Sequence, residues 1–117
     1  MYNGDVTAAN IPTDEAVVLT AVLYPLPSKT DAALDGIRDA IAAIHAEQGC
    51  LLYAAHRAPD DTIVLVEKWA TRADLEAHGS GTAVAALLAR LAGLIASPSH
   101  LTELVPVPLG EASKGEL

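Results

Sequence analysis

The chain has 117 residues, 51% of them hydrophobic, with one Trp, three Tyr and no Phe, and a formal net charge of −8. That length supports one core and not two, and seven Lys and Arg against fifteen Asp and Glu give no basic footprint for nucleic acid or for an anionic membrane surface. The single Cys excludes an intramolecular disulfide, which suits a reducing compartment.

The first fourteen residues mix Asn, Gly, Asp, Thr and Pro without periodicity and read as an N-terminal tail. They carry neither the basic start nor the apolar run of a secretory signal. The longest apolar run, Ala83 to Leu94, is broken by Arg90 and too short to span a bilayer. A soluble, cytoplasmic protein with no membrane partner is expected.

The domain is expected over residues 15–108. Ala16 to Tyr24 is apolar on both faces and predicts a central strand, ended by Pro25 and Pro27. Ser28-Lys29-Thr30-Asp31 has the form of a capping box, and Leu34, Ile37, Ile41 and Ile44 form the apolar stripe of the helix after it. Gly49 is placed to end that helix. Cys50–Arg57 and Thr62–Trp69, joined by Ala58-Pro59-Asp60-Asp61, predict a hairpin. Thr71-Arg72-Ala73-Asp74 is a second capping box, opening a short helix through His78. After Gly79-Ser80-Gly81 a longer helix is expected from about Thr82 to Ile95, with Val84, Leu87, Leu88, Leu91 and Ile95 on one face. Ser97-Pro98 ends it. A last strand, Leu101 to Val105, precedes two prolines, and residues 109–117 read as a polar C-terminal tail.

The order is β-α-β-β-α-β with the second helical segment split, a ferredoxin-like α+β arrangement with a four-stranded antiparallel sheet. Side chains alternate along a strand, so Ile63, Leu65, Glu67 and Trp69 share one face. A Glu among apolar neighbours needs a partner or a cavity. Two helices cover one face of the sheet, and the face carrying Glu67 and Trp69 is expected to be the other, uncovered one. Such a face calls for a second copy of the chain, so a homodimer is expected.

The elements Gln48-Gly49-Cys50-Leu51-Leu52-Tyr53, Leu65-Val66-Glu67-Lys68-Trp69 and Leu75-Glu76-Ala77-His78 resemble the antibiotic biosynthesis monooxygenase domain, which includes quinol monooxygenases and oxygenases of aromatic polyketide pathways. The resemblance covers most of the chain from the first strand to Val105. It implies a dimeric α+β barrel, a pocket beside the sheet, and oxidation of an electron-rich aromatic by dioxygen with no flavin, haem or metal. Two departures stand out. A second His in a short S/T-P-H segment is common in that family, where this chain has His78-Gly79-Ser80-Gly81-Thr82. The haem-degrading branch carries an Asn in the first strand and an iron-ligating His in the later helix, and neither is present here.

A cofactor-free oxygenase must make its substrate the electron donor, by removing a phenolic proton in a dry pocket. His78 and His56 are the candidate bases, because imidazole ordinarily titrates near neutrality. Trp69 can wall the ring and donate its N–H, while Tyr53 or Arg57 can steady an oxyanion and Glu67 can contact the substrate. Duller roles compete: Trp69 as core, His78 solvated at a helix end, His56 exposed on the hairpin, Glu67 in a structural hydrogen bond, Cys50 as a small buried hydrophobe. Tyr53 and Arg57 share one face of their strand, and Cys50, Leu52, Ala54 and His56 the other, so they cannot all line one pocket. No nucleotide loop, paired metal ligands or nucleophile elbow is found. The expected function is a monooxygenase of the quinol type. The alternative is a non-catalytic dimer that binds a small aromatic metabolite.

Overall fold

The computed structural model describes residues 15–117; the tail expected over residues 1–14 lies outside the described residues. The elements are β1 (Val17–Pro25), α1 (Thr30–His45), β2 (Cys50–Arg57), β3 (Ile63–Trp69), α2 (Arg72–Gly79), α3 (Thr82–Leu91), β4 (Ile95–Leu104) and a single turn, α4 (Ala112–Gly115). The four strands form one antiparallel sheet in the order β2-β3-β1-β4. This is the ferredoxin-like α+β arrangement, with β1 in the interior as its two apolar faces require. No helix among the described residues is long and apolar enough to cross a membrane.

The core lies between the sheet and the helices. Leu19, Ala21 and Leu23 of β1, Tyr53 of β2 and Ile63, Leu65 and Trp69 of β3 pack against Ala33, Ile37, Ala40 and Ile44 of α1 and Leu87 and Leu91 of α3. Glu67 and Trp69 are therefore on the helix-covered face, which corrects the expectation that they stand on the uncovered one. The register requires this: Trp69 is opposite Val17 and Glu67 opposite Leu19, so the β3 residues at odd positions share the face of Leu19, Ala21 and Leu23. On the opposite face Thr20, Val22, Val64 and Val66 remain half-buried. Lys68 on that face donates from Nζ to the backbone oxygen of Leu117 (2.6 Å), which brings the C-terminal residues back to the sheet.

Local chemistry sets the element ends, in places against expectation: α1 ends at His45, four residues before the Gly49 expected to end it, and β4 starts at Ile95, ahead of the expected Leu101. The Ser28 capping box does not form. Lys29 is the residue before α1 and no side chain caps the helix, while Ser28 takes a left-handed φ of 63°. Thr30 instead donates its hydroxyl to the backbone oxygen of Asp61 at 2.8 Å, tying the start of α1 to the hairpin turn. Helix α3 stops at Leu91, one turn short of Ile95, because Gly93 turns the chain at φ 80°. Ile95 then opens β4, which also holds Pro98. That proline is tolerated on an edge strand whose register to β1 is broken between Val22 and Tyr24.

The second capping box forms as its sequence implies. Thr71 is extended at φ −142°, and its hydroxyl accepts from the Asp74 N–H at 3.1 Å. A bulge in β2 has a larger consequence. Cys50 is opposite Trp69 and Leu52 opposite Lys68, so Leu51 is the extra residue. Cys50 therefore joins the face of Tyr53 and not that of Leu52.

Gly49 precedes this bulge at φ 79°, its carbonyl accepting from the Ala70 N–H at 2.7 Å, and a Cβ there would overlap the Asp74 carboxylate. The left-handed backbone and the crowding act together. Gly49→Ala is expected to destabilise the fold by about 2 kcal/mol, a fall of roughly 8–15 °C in Tm. Thermal unfolding checks this, and an unchanged Tm would mean that the turn at Gly49 is not constrained as described.

Candidate active site

Three elements deliver the site. Tyr53 of β2 and Glu67 of β3 are direct cross-strand partners, Trp69 follows two positions on, and the last turn of α2 brings His78 over them. Trp69 is fully buried, Glu67 is 4% exposed and His78 7%. The His78 ring lies against the indole, with centroids 4.4 Å apart and planes 31° apart. The Tyr53 ring meets it edge-on at 5.7 Å. An imidazole held between two aromatic rings has little freedom to rotate.

Both ring nitrogens of His78 face carboxyl groups. Nδ1 is 2.7 Å from Glu47 Oε1, and since a carboxylate only accepts, the proton of this contact belongs to Nδ1. Nε2 lies 4.0 Å from Glu67 Oε1, beyond hydrogen-bond reach, so in the neutral ring it keeps a free lone pair. Glu47 reaches His78 from the α1–β2 connection because Gly81 leaves room. A Cβ on Gly81 would stand 3.3 Å from Glu47 Oε2 and 2.9 Å from the Ala77 carbonyl.

Glu67 accepts the indole N–H of Trp69 on Oε1 at 3.1 Å. Burial pushes its carboxyl above the ordinary 4.5; the indole hydrogen bond and the proximity of His78 pull the other way, and Glu47 adds to the rise. Burial also raises the Tyr53 phenol, helped by the charges of Glu67 and Glu47, so Tyr53 stays a neutral hydroxyl. The Cys50 thiol is likewise raised, first by burial, which removes thiolate character.

Beside this cluster is a cavity of about 300 Å³ between the sheet and helices α2 and α3, at the small end of ligand sites. Tyr53, Glu67 and His78 line one end. The remaining wall is almost entirely aliphatic, from Leu19, Ala21, Leu23 and Leu65 on the sheet and Leu75, Val84, Leu87 and Leu91 on the helices. Leu88 of α3 and Leu101 of β4, 62% and 56% exposed, line it too and mark its mouth. The polar end is on β2 and β3, two strand spacings or on the order of 10 Å from β4.

Of the residues singled out from the sequence, Tyr53, Glu67 and His78 meet at the cavity. Trp69 does not line it: it backs His78, and its N–H is committed to Glu67 rather than to a ligand. His56 is exposed, its Nδ1 3.2 Å from the Val64 carbonyl on the opposite sheet face. Arg57 is exposed at the hairpin, donating to Asp31 at 2.6 Å and to Asp61 at 3.1 Å, and these hydrogen bonds hold its guanidinium above its ordinary value. Neither reaches the cavity. The alternation of β2 already placed His56 on the opposite face from Tyr53, and the hairpin tip carries Arg57 away from the polar end. Glu47 was missed. It reads as an ordinary solvated charge after a helix, and its one signal is its place two residues before the glycine that turns the chain into β2.

Because the folded state holds Glu67 above its unfolded value, it binds the proton more tightly than the unfolded chain does. Its burial therefore subtracts stability as pH rises from 4.5 through the raised value. Glu67→Gln keeps an oxygen for the Trp69 N–H and removes the buried charge. The variant is expected to melt above the parent at neutral pH, with the gap closing as pH falls towards 4.5. Melting curves across that range check it; a variant less stable than the parent at neutral pH would show that the ionised carboxylate is a net stabiliser.

Comparison with known proteins bears on what such a site is for. No curated protein matches the sequence. Solved structures do. Rv0793 from Mycobacterium tuberculosis is 27% identical, covering 84% of this chain and 99% of its own, with a TM-score of 0.71. A candidate antibiotic biosynthesis monooxygenase from Caulobacter crescentus CB15 superimposes at a TM-score of 0.75 and 22% identity over 84% of this chain and 95% of its own. NE2512, a protein of unknown function from Nitrosomonas europaea, is 25% identical over 85% of this chain and all of its own length, at a TM-score of 0.69. The sequence model of the antibiotic biosynthesis monooxygenase family matches residues 16–90, from the start of β1 to the last turn of α3. The chain belongs to the antibiotic biosynthesis monooxygenase family.

Proposed function

We propose that the protein is a cofactor-independent monooxygenase that oxidises a phenolic, quinol or polyketide-like aromatic with dioxygen. The domain doing so spans residues 15–108, with 109–117 a C-terminal tail, and works as a cytoplasmic homodimer. One observation carries the reading: His78 presents an unengaged Nε2 at the polar end of an aliphatic cavity, its other nitrogen fixed by Glu47 at 2.7 Å. Base, orienting carboxylate and dry space for a ring are what removal of a phenolic proton requires.

In this scheme a hydroxylated ring enters with its hydroxyl towards Tyr53, Glu67 and His78. His78 Nε2 takes the phenolic proton, and the imidazolium formed is stabilised by Glu47 and by Glu67. The phenolate gives up electrons to dioxygen far more readily than the phenol. One oxygen atom stays in the product and the other leaves as water, all four electrons coming from the substrate. A hydroquinone thus yields a hydroxyquinone and one water. Tyr53, a neutral hydroxyl, is the donor to the phenolate oxygen. The half-buried Val22, Val64 and Val66 on the opposite sheet face support the homodimer.

Oxygen uptake tests the reading, with metal-stripped protein and hydroquinone and anthrone-type phenols measured against autoxidation without protein. Uptake above that control, surviving a chelator, is expected. His78→Gln should lower kcat by about 10²–10⁴ while the same compounds still bind. Glu47→Gln, which removes the charge but keeps an acceptor at Nδ1, should lower kcat and leave KM little changed. Binding without uptake for every compound would show instead a binding protein for a small aromatic metabolite.

A further inference from the structure

The cavity that Tyr53, Glu67 and His78 close at one end continues at the other. A second cavity of about 310 Å³ adjoins it, and Leu23, Leu88, Leu91 and Ser99 belong to the walls of both. The rest of its wall comes mainly from the chain between α3 and β4 and the start of that strand, at Gly93, Ile95 and Pro98. The early end of α3 opens this space. The helix stops at Leu91, Gly93 turns the chain at φ 80°, and a Cβ on Gly93 would meet no heavy atom within 4 Å. Position along the sheet fixes which end this is: Leu19 stands opposite Glu67, and Leu23 is four residues further along β1 on the same face, about 13 Å away. The second cavity is thus remote from the polar cluster.

Its chemistry is aliphatic. Among the described residues no charged side chain lines it, and the hydroxyls of Ser97 and Ser99 are its only polar side-chain groups. Leu23 and Leu91 are buried, whereas Leu88 is 62% exposed, so the space is walled on one side and open on the other. An apolar group laid there covers leucine surface that otherwise faces water. We infer that the second cavity is a subsite for an apolar substituent carried by the ring opposite its hydroxyl. The site then favours phenols with an apolar extension over the bare ring. This deepens the oxygenase reading by naming the substrate class, and rests on that reading for seating the hydroxyl at the polar end.

The test is a homologous series, para-cresol, para-propylphenol and para-hexylphenol, titrated calorimetrically into the full-length protein under nitrogen at neutral pH. Full burial of a methylene is worth about fourfold in affinity, and half-burial about twofold. Para-hexylphenol, five methylenes longer than para-cresol, is therefore expected to bind at least about tenfold more tightly, one molecule per chain. Amide NMR locates the chain: shifts that separate the hexyl from the methyl complex should fall at Gly93, Ile95 and Ser97, with those near Tyr53 and His78 common to both. Ile95→Ala should weaken the hexyl compound by roughly two- to fourfold and leave para-cresol unchanged. Flat affinity across the series would overturn the inference, as would chain-dependent shifts away from Gly93 and Ile95, or an equal loss for both compounds in Ile95→Ala. Failure of all three compounds to bind would overturn it too. The probes are monophenols read by binding, so the two readings fail separately. A rising series without oxygen uptake on any quinol sinks the oxygenase and leaves the subsite, while uptake with a flat series does the reverse.

Discussion

A carboxyl group buried on an apolar sheet face is the constraint from which the rest of the structure follows. Glu67 stands among Leu19, Leu65 and Trp69 at 4% exposure, where an unpartnered charge is costly. The fold answers with a donated indole N–H at 3.1 Å and with an imidazole 4.0 Å away. Both partners come from the segment that follows Glu67 in the chain, Trp69 two residues on and His78 at the far end of the next helix. The hydrogen bond to Trp69 fixes one oxygen, and the residue lines the cavity. The site is thus a by-product of solving a local burial problem without filling the space beside it.

Placing His78 depends in turn on the chain's turn chemistry. Thr71 caps α2 so that the helix begins directly after β3, and eight residues carry His78 back over the strand end. Gly49 allows the crossing strand to approach Asp74 and Ala70, and the preceding connection then offers Glu47 to Nδ1. Gly81 leaves the space that Glu47 occupies. Each of these is a backbone requirement met outside the cavity wall, and each bears on where the imidazole sits. The role proposed for His78 rests on where α2 and its flanking turns place the ring.

The hairpin, the Thr71 cap, the core stripe of α1 and the element order were legible in the residues, because alternation, helical spacing and capping boxes are local signals. Which face of the sheet the helices cover was not legible. β1 is apolar on both sides and carries no facing signal, and a lone Glu67 on an otherwise apolar face does not tell which face the helices cover. The true end of α3 was hidden for a similar reason: Leu94 and Ile95 continue an apolar pattern that Gly93 has already broken. Within the site, the Glu67–Trp69 neighbourhood followed from alternation alone. Trp69's role behind His78 rather than in the cavity wall, and Glu47's contact with His78, depend on how the bulge at Leu51 and the turn at Gly49 bring distant segments together. Neither has a sequence period.

Glu47 holds the His78 proton on Nδ1 and leaves Nε2 available for the proposed role as base. Nitrogen-15 NMR of the histidine ring, at a pH where the imidazole is neutral, reads this tautomer directly. The account predicts a protonated Nδ1 and an unprotonated Nε2 for His78, with the distinction lost in Glu47→Ala. A proton on Nε2 in the parent protein would contradict it, because His78 could then take no proton from a substrate in the cavity.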